Sequence, residues 1–229
     1  MTIETTVGEL VRAVPARARV FEKLGIDYCC GGKKPLAETC AAKGLEPAAV
    51  LEMLAASDAA PDPAAADVNA LGLSALCDHI EAAHHAWLRE ELPRLDFMTR
   101  KVAAVHGGEE PRLTRIREVF AAFAPELLGH VIEEEDEVFP RIRKLETNPS
   151  GDEGGELRAV LDRLEGDHWR TSAALADFRE LTDGYAPPEW ACNTFRALYD
   201  GLARLERDTH RHIHTENNVL FPRALAAAG

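Results

Sequence analysis

Two stretches of this chain are near copies of one another. His130-Val-Ile-Glu-Glu-Glu-Asp-Glu-Val-Phe-Pro-Arg141 and His212-Ile-His-Thr-Glu-Asn-Asn-Val-Leu-Phe-Pro-Arg223 each set a glutamate, Glu134 or Glu216, four residues after a histidine. Four residues is about one helical turn, so each pair shares a helix face. That face is apolar in both cases. Leu113, Ile116, Phe120, Phe123, Leu127, His130, Glu134 and Val138 follow steps of three and four. Leu198, Leu202, Leu205, Thr209, His212, Glu216 and Leu220 do the same. Such steps mark one buried stripe of a helix. An unpaired charge on that stripe costs on the order of several kcal/mol. The fold must therefore bring partners to two buried His–Glu pairs.

The spacing of other histidines supplies those partners. His85 lies 45 residues before His130, and His168 lies 44 before His212. Each interval fits a helix, a turn and an antiparallel helix. Similar apolar patterns run through 74–106 and 156–183, with breaks at Gly107–Gly108, Asn148–Gly155 and Gly184–Pro188. The expected fold is all-α, an antiparallel four-helix bundle with a small N-terminal helical domain. Each long helix would carry one histidine into a single layer. Pro93, Pro125, Pro140 and Pro222 are expected to kink or end helices locally.

A single His-x-x-x-Glu is commonplace. Two of them inside apolar stripes, with two further histidines at matched distances, point to a metal. The candidate ligands are His85, His130, Glu134, His168, His212 and Glu216. Four imidazoles and two carboxylates suit a pair of iron ions, each glutamate bridging both. An oxo or hydroxo bridge would then leave one open position per iron for water, O₂ or NO. Ferritin-like sites space Glu-x-x-His by three and are richer in carboxylate. This nitrogen-rich set, spaced by four with histidine first, fits the haemerythrin type of di-iron bundle better.

The remaining polar residues sort by position. Glu133, Glu135, Asp136 and Glu137 read as a solvated acidic face, and His79, His210 and His214 as solvent-facing. His84 competes with His85 on the same turn. His106 shares a face with His85, but 21 residues along a continuous helix span about 31 Å, so it is left out of the ligand set. Glu126, one turn before His130, is a candidate for orienting a ligand or relaying protons.

Residues 1–57 hold no histidine but three cysteines, Cys29, Cys30 and Cys40. Residues 58–66, DAAPDPAAA, read as a linker, and 67–229 as the bundle. In the small domain Pro15, Pro35 and Pro47 should open helices and Gly25 should close one. Adjacent cysteines sit too close for an easy disulfide, so Cys29–Cys30 should be reducible. Lys33 and Lys34 nearby favour thiolate. The pair reads either as reactive thiols or as small buried residues beside a turn. Cys40, Cys77 and Cys192 are expected to pack in helices. A net charge of −13 would repel nucleic acid and anionic lipid. No apolar run approaches the roughly 18–20 residues of a membrane span. An odd cysteine count and the absence of a secretory leader pattern point to a reducing cytoplasm.

GIDYCCGG, LREELPRL, KVAAVHG, both His-x-x-x-Glu segments and ENNVLFPRAL together resemble the Ric (repair of iron centres) family across essentially the whole chain. The resemblance implies an ScdA-type N-terminal domain followed by a haemerythrin-like di-iron domain. It implies His85, His130, His168 and His212 as histidine ligands, and Glu134 and Glu216 as bridging glutamates. The family's additional histidine falls on His106 and its outer acidic position on Glu126. Asp167 stands where relatives carry Glu, with a shorter side chain. It also favours the reading of Cys29 and Cys30 as thiols that accept NO, cycle redox state or receive iron. The implied role is restoring iron–sulfur clusters damaged by nitric oxide or oxidants, through iron donation to the damaged proteins. The alternatives are NO binding, NO reduction to N₂O, or a passive O₂ or NO sensor or buffer. A homodimer bringing the small domain to a neighbour's bundle is a further expectation.

Overall fold

The computed structural model describes residues 1–58, 67–147 and 154–229. From position 59 onward, the expected linker lies outside the described residues, as does most of the break at 148–155.

The small N-terminal module is built from four short helices with legible starts and stops. Thr6 caps α1 (Val7–Ala13) in a capping box with Glu9. A single tight turn, Pro15–Arg17, leads into α2 (Ala18–Leu24), which Gly25 ends in the left-handed region at φ 62°. Pro35 precedes α3 (Leu36–Lys43), and Pro47 opens α4 (Pro47–Asp58). Val7, Leu10, Phe21, Tyr28, Leu36 and Leu54 form their shared core. Arg17 ties the module together, pairing with Asp58 at 2.6 Å and donating to the Leu10 carbonyl at 3.1 Å.

Four long rods follow. The first is α5 (Leu73–Ile80), a π turn (Glu81–His85) and α6 (Ala86–His106). The second is α7 (Arg112–Glu133), a π turn (Glu134–Val138) and α8 (Phe139–Thr147). The third is α9 (Gly154–Leu181) alone. The fourth is α10 (Asn193–Thr215), a π turn (Glu216–Leu220) and α11 (Phe221–Ala228). Among the described residues there is no β-strand, only one isolated bridge between Thr6 and Pro35. No described helix is long and apolar enough to cross a membrane.

The expected proline breaks take a different form. Pro93 and Pro125 lie inside α6 and α7, and the rods also continue through Pro140 and Pro222. Proline cannot donate a backbone hydrogen bond, and its ring crowds the carbonyl four residues back. In two rods a widened turn precedes the proline. There the N–H of Phe139 or Phe221 reaches five residues back to the carbonyl of Glu134 or Glu216. Such π turns concentrate at functional sites.

The bundle core is split in two. One apolar cluster includes Leu88, Leu95, Phe120, Phe123, Phe178 and Leu202; the other includes Ile80, Val138, Phe139, Leu164, Leu220 and Phe221. A polar layer separates them, at the level of the three π turns. Phe178 is fully buried, its ring 6.0 Å from Phe120 and 5.5 Å from Phe123. Phe178→Ala is expected to cost about 3–5 kcal/mol in chemical denaturation, while leaving metal content unchanged because the layer's own residues are untouched.

Candidate metal centre

All six proposed ligands meet in the polar layer. His85, Glu134, His168, His212 and Glu216 are essentially inaccessible to solvent, and His130 is 7% exposed. Two pairs of imidazoles point nitrogen at nitrogen, His85 Nε2 to His212 Nε2 and His130 Nε2 to His168 Nε2, both at 2.9 Å. The glutamates divide their oxygens between these pairs. Glu134 Oε2 is 3.4 Å from His85 and Oε1 is 3.1 Å from His130. Glu216 Oε1 is 2.9 Å from His212 and Oε2 is 3.2 Å from His168. The result is two clusters sharing both carboxylates: His85, His212, Glu134 and Glu216, and His130, His168, Glu134 and Glu216.

Hydrogen bonding leaves this layer incomplete. Both oxygens of Glu134, Oε2 of Glu216 and the Nδ1 atoms of His130 and His212 are buried without a hydrogen-bond partner. Burial pushes the Glu134 carboxyl up, yet His130, His168 and His85 together hold it well below the usual range. Burial likewise opposes charge on His85, His130 and His168, but the two glutamates override it and raise all three above 6.5. His212 moves the other way, pushed down by burial. The layer therefore attracts positive charge into its centre, and its mixed imidazole and carboxylate donors fit first-row transition metals.

The neighbours of the ligands repeat as well. Glu135 Oε1 holds His85 Nδ1 at 2.8 Å, and Asn217 Oδ1 holds His168 Nδ1 at 2.9 Å. Each acceptor stands one residue after a shared glutamate. Accepting the Nδ1–H turns the Nε2 lone pair toward the centre. Phe139 stacks on His85 at 5.6 Å, and Phe221 on His168 at 6.1 Å. The Phe-Pro of each repeat thus places a ring against a ligand from another helix.

Several expectations need correction. Glu135 is no part of a solvated face, although Asp136 and Glu137 are exposed. Glu126 is exposed rather than set beside His130, because at about 100° per residue it falls roughly 40° round the helix from His130, on the side away from Leu127 and Glu134. Asp167 does approach His130, but its Oδ2 stops 3.6 Å from Nδ1, beyond a hydrogen bond. His84 commits its Nδ1 to Asp208 at 3.1 Å while its ring stacks on His212, so it flanks the layer without joining the ligand set. His106 sits at the far end of α6, 3.2 Å from the sulfur of Cys192. Cys192 itself is exposed at the start of α10, not packed within a helix; Cys40 and Cys77 are buried.

The small module covers one side of the layer. His214, expected in solvent, is buried with Nδ1 3.2 Å from the Tyr28 carbonyl oxygen, and His210 lies edge-on to the same tyrosine. Asn218 donates to the Cys29 carbonyl at 3.0 Å. Cys30 Sγ lies 3.2 Å from Ser172 Oγ, and Ser172 is one turn beyond His168 on α9. Lys33 does not serve the thiols, since it pairs with Glu165 at 2.8 Å. Cys30 is instead held below the usual thiol range by hydrogen bonds from Cys29 and Ser172, with His168 adding to the effect. Cys29 is raised well above that range by its bond to Cys30, by burial and by Asp27.

Comparison with known proteins agrees with this layout. Residues 50–224 match the Hemerythrin HHE cation binding domain, and residues 3–58 match ScdA_N, described as a domain of unknown function (DUF542). The chain is thus a helical-bundle protein of the hemerythrin cation-binding class. It is 34% identical to the iron–sulfur cluster repair protein ScdA of Staphylococcus haemolyticus, over 96% of this chain and 98% of that one. It is 36% identical to the iron–sulfur cluster repair protein YtfE of Pectobacterium atrosepticum, over 97% of both chains. With YtfE of Escherichia coli O157:H7 it shares 34% over 96% of both. The chain belongs to the ScdA and YtfE family.

Two outcomes follow from the geometry. Asn217→Leu removes the acceptor that orients His168 and is expected to weaken metal affinity by about 10–100-fold. Protons compete with metal for His85, His130 and His168, whose raised values start that competition above pH 6.5. Metal titrations at falling pH are therefore expected to show affinity declining from a higher pH than protonation of ordinary histidines would cause; a decline that begins only in the ordinary histidine range would contradict the charge balance.

Proposed function

We propose that this protein repairs iron–sulfur clusters damaged by nitric oxide or oxidants, and that it does so by giving up iron. The source is a two-iron centre bridged by an oxo or hydroxo group. His85 and His212 would hold one iron, His130 and His168 the other, and Glu134 and Glu216 would each offer one oxygen to the first and the second oxygen to the other. The observation that carries this reading is the division of carboxylate oxygens between two imidazole pairs. The names of the ScdA and YtfE relatives support the role. When bound, such a pair supplies redox-active positions open to O₂ or NO.

The protein's own residues suit a site that empties. Iron leaving the layer would strand two carboxylates with no solvent to cover them. His85, His130 and His168 bind protons readily in that setting. Protons replacing iron keep the glutamates paired, which lowers the cost of release. Glu135 and Asn217 hold two of the rings in place meanwhile.

The test is anaerobic incubation of the iron-loaded protein with a cluster protein previously inactivated by NO. The client is expected to regain activity as the donor loses iron. Turnover of NO to N₂O with no loss of iron and no recovery of the client would replace this reading with an NO reductase. For the centre itself, Glu134→Leu and Glu216→Leu should each bring iron well below two per chain by metal analysis. Unchanged iron content would defeat the shared-carboxylate assignment.

A further inference from the structure

A second group of metal-ligating side chains lies outside the bundle's polar layer. On the loop between α2 and α3, one ligand atom each from Asp27, Cys29 and Cys30 lie within 4.8 Å of one another. Cys29 Sγ is 3.1 Å from Asp27 Oδ1 and 4.0 Å from Cys30 Sγ. A tetrahedral ion with Zn–S-like bonds of about 2.3 Å spaces two sulfurs by roughly 3.8 Å. The thiols already stand near that separation. Asp27 is fixed independently, because its oxygens accept the backbone N–H groups of Cys29, Cys30 and Gly31. The Cys29 thiol has both a carboxylate oxygen and a second sulfur as acceptors within reach, and a cation bound by the three groups would replace its proton.

The loop is also held at one place on the bundle. Cys30 meets Ser172, one turn from His168, and Asn218 grips the Cys29 carbonyl two residues after Glu216. Asn218 fits there only because Gly8 and Gly32 carry no side chain; a Cβ at either would collide with it. Both anchors belong to elements that carry ligands of the polar layer.

We propose that Asp27, Cys29 and Cys30 form a second cation site, which takes ferrous iron, or another thiophilic divalent ion, as it leaves the histidine–glutamate layer. This deepens the iron-donation reading and rests on it for the source of the ion. Two thiolates and one carboxylate select against the hard ions Mg²⁺ and Ca²⁺. Binding forms two metal–sulfur bonds and one metal–oxygen bond and breaks the S–H bonds of the thiols, whose protons pass to solvent. No electron moves.

Cobalt(II) is the probe, added without oxygen to the full chain after its polar layer has been loaded with iron. One further equivalent is expected to bind, with a sulfur-to-cobalt charge-transfer band and release of protons. Cys29→Ser and Cys30→Ser should each weaken that binding at least tenfold and diminish the band. Asp27→Asn should weaken binding but keep the band. Unchanged iron content in each variant reports an intact bundle. Absence of the band at one equivalent, or its survival in the double serine variant, would overturn the proposal. If no band forms while damaged clusters are still restored, this site falls and the repair reading stands. If the band forms on a chain that restores no cluster, the site stands and the repair reading falls.

Discussion

The rest of the structure is arranged around two carboxylates buried without solvent. Glu134 and Glu216 are inaccessible, stand between apolar clusters above and below, and face imidazoles. A buried carboxylate left alone would cost on the order of several kcal/mol. Every rod therefore delivers a histidine to the same depth, and three rods widen into π turns at that depth. The apolar clusters do not depend on the layer, since each spans several rods. Stability and chemistry are thereby divided along the bundle axis.

The two halves of the bundle are copies that have diverged where it matters. After the shared glutamate, one repeat reads Glu135-Asp136 and the other Asn217-Asn218. The first residue of each pair does the same work, holding the Nδ1 of a ligand histidine. The second does not. Asp136 is exposed, whereas Asn218 donates to the Cys29 carbonyl. A carboxylate has no hydrogen to donate when ionised, so the Asp136 side could not grip the loop in this way. The small module accordingly sits on the Glu216 side of a layer that is otherwise nearly symmetric.

The ligands were legible because two signals coincided: core-facing His–Glu pairs at one-turn spacing, and two further histidines at matched intervals. Those signals depend only on helical periodicity and rod length. What escaped them depends on local departures and on covering. Glu135 looked solvated because a regular helix turns it about 100° from Glu134, yet the sequence did hold a clue in the oxygen acceptor that follows both glutamates. His214 looked exposed because nothing in its own helix shows that another module covers it. Glu126 misled for the opposite reason, standing one turn from His130 but on the flank of it that faces away from the apolar stripe. The Cys192–His106 contact joins two loop ends, which periodicity does not address.

One turn of the fourth rod connects the two modules. Glu216, Asn217 and Asn218 are consecutive, and each serves a different partner: the metal layer, the His168 ring, and the thiol loop. Three neighbours on a regular helix would fan out over about 200°, so one segment can address all three only where the rod lies between layer and module. The π turn carries them there, and Pro222 just beyond it withholds a backbone donor that would otherwise tighten the helix. Any shift of Glu216 is passed through two peptide bonds to the residue that holds the cysteine loop. The fit of Asn218 against Gly8 and Gly32 leaves little slack to absorb such a shift. One widened turn thus carries a carboxylate of the buried layer, the acceptor that orients a ligand ring and the residue that holds the cysteine loop.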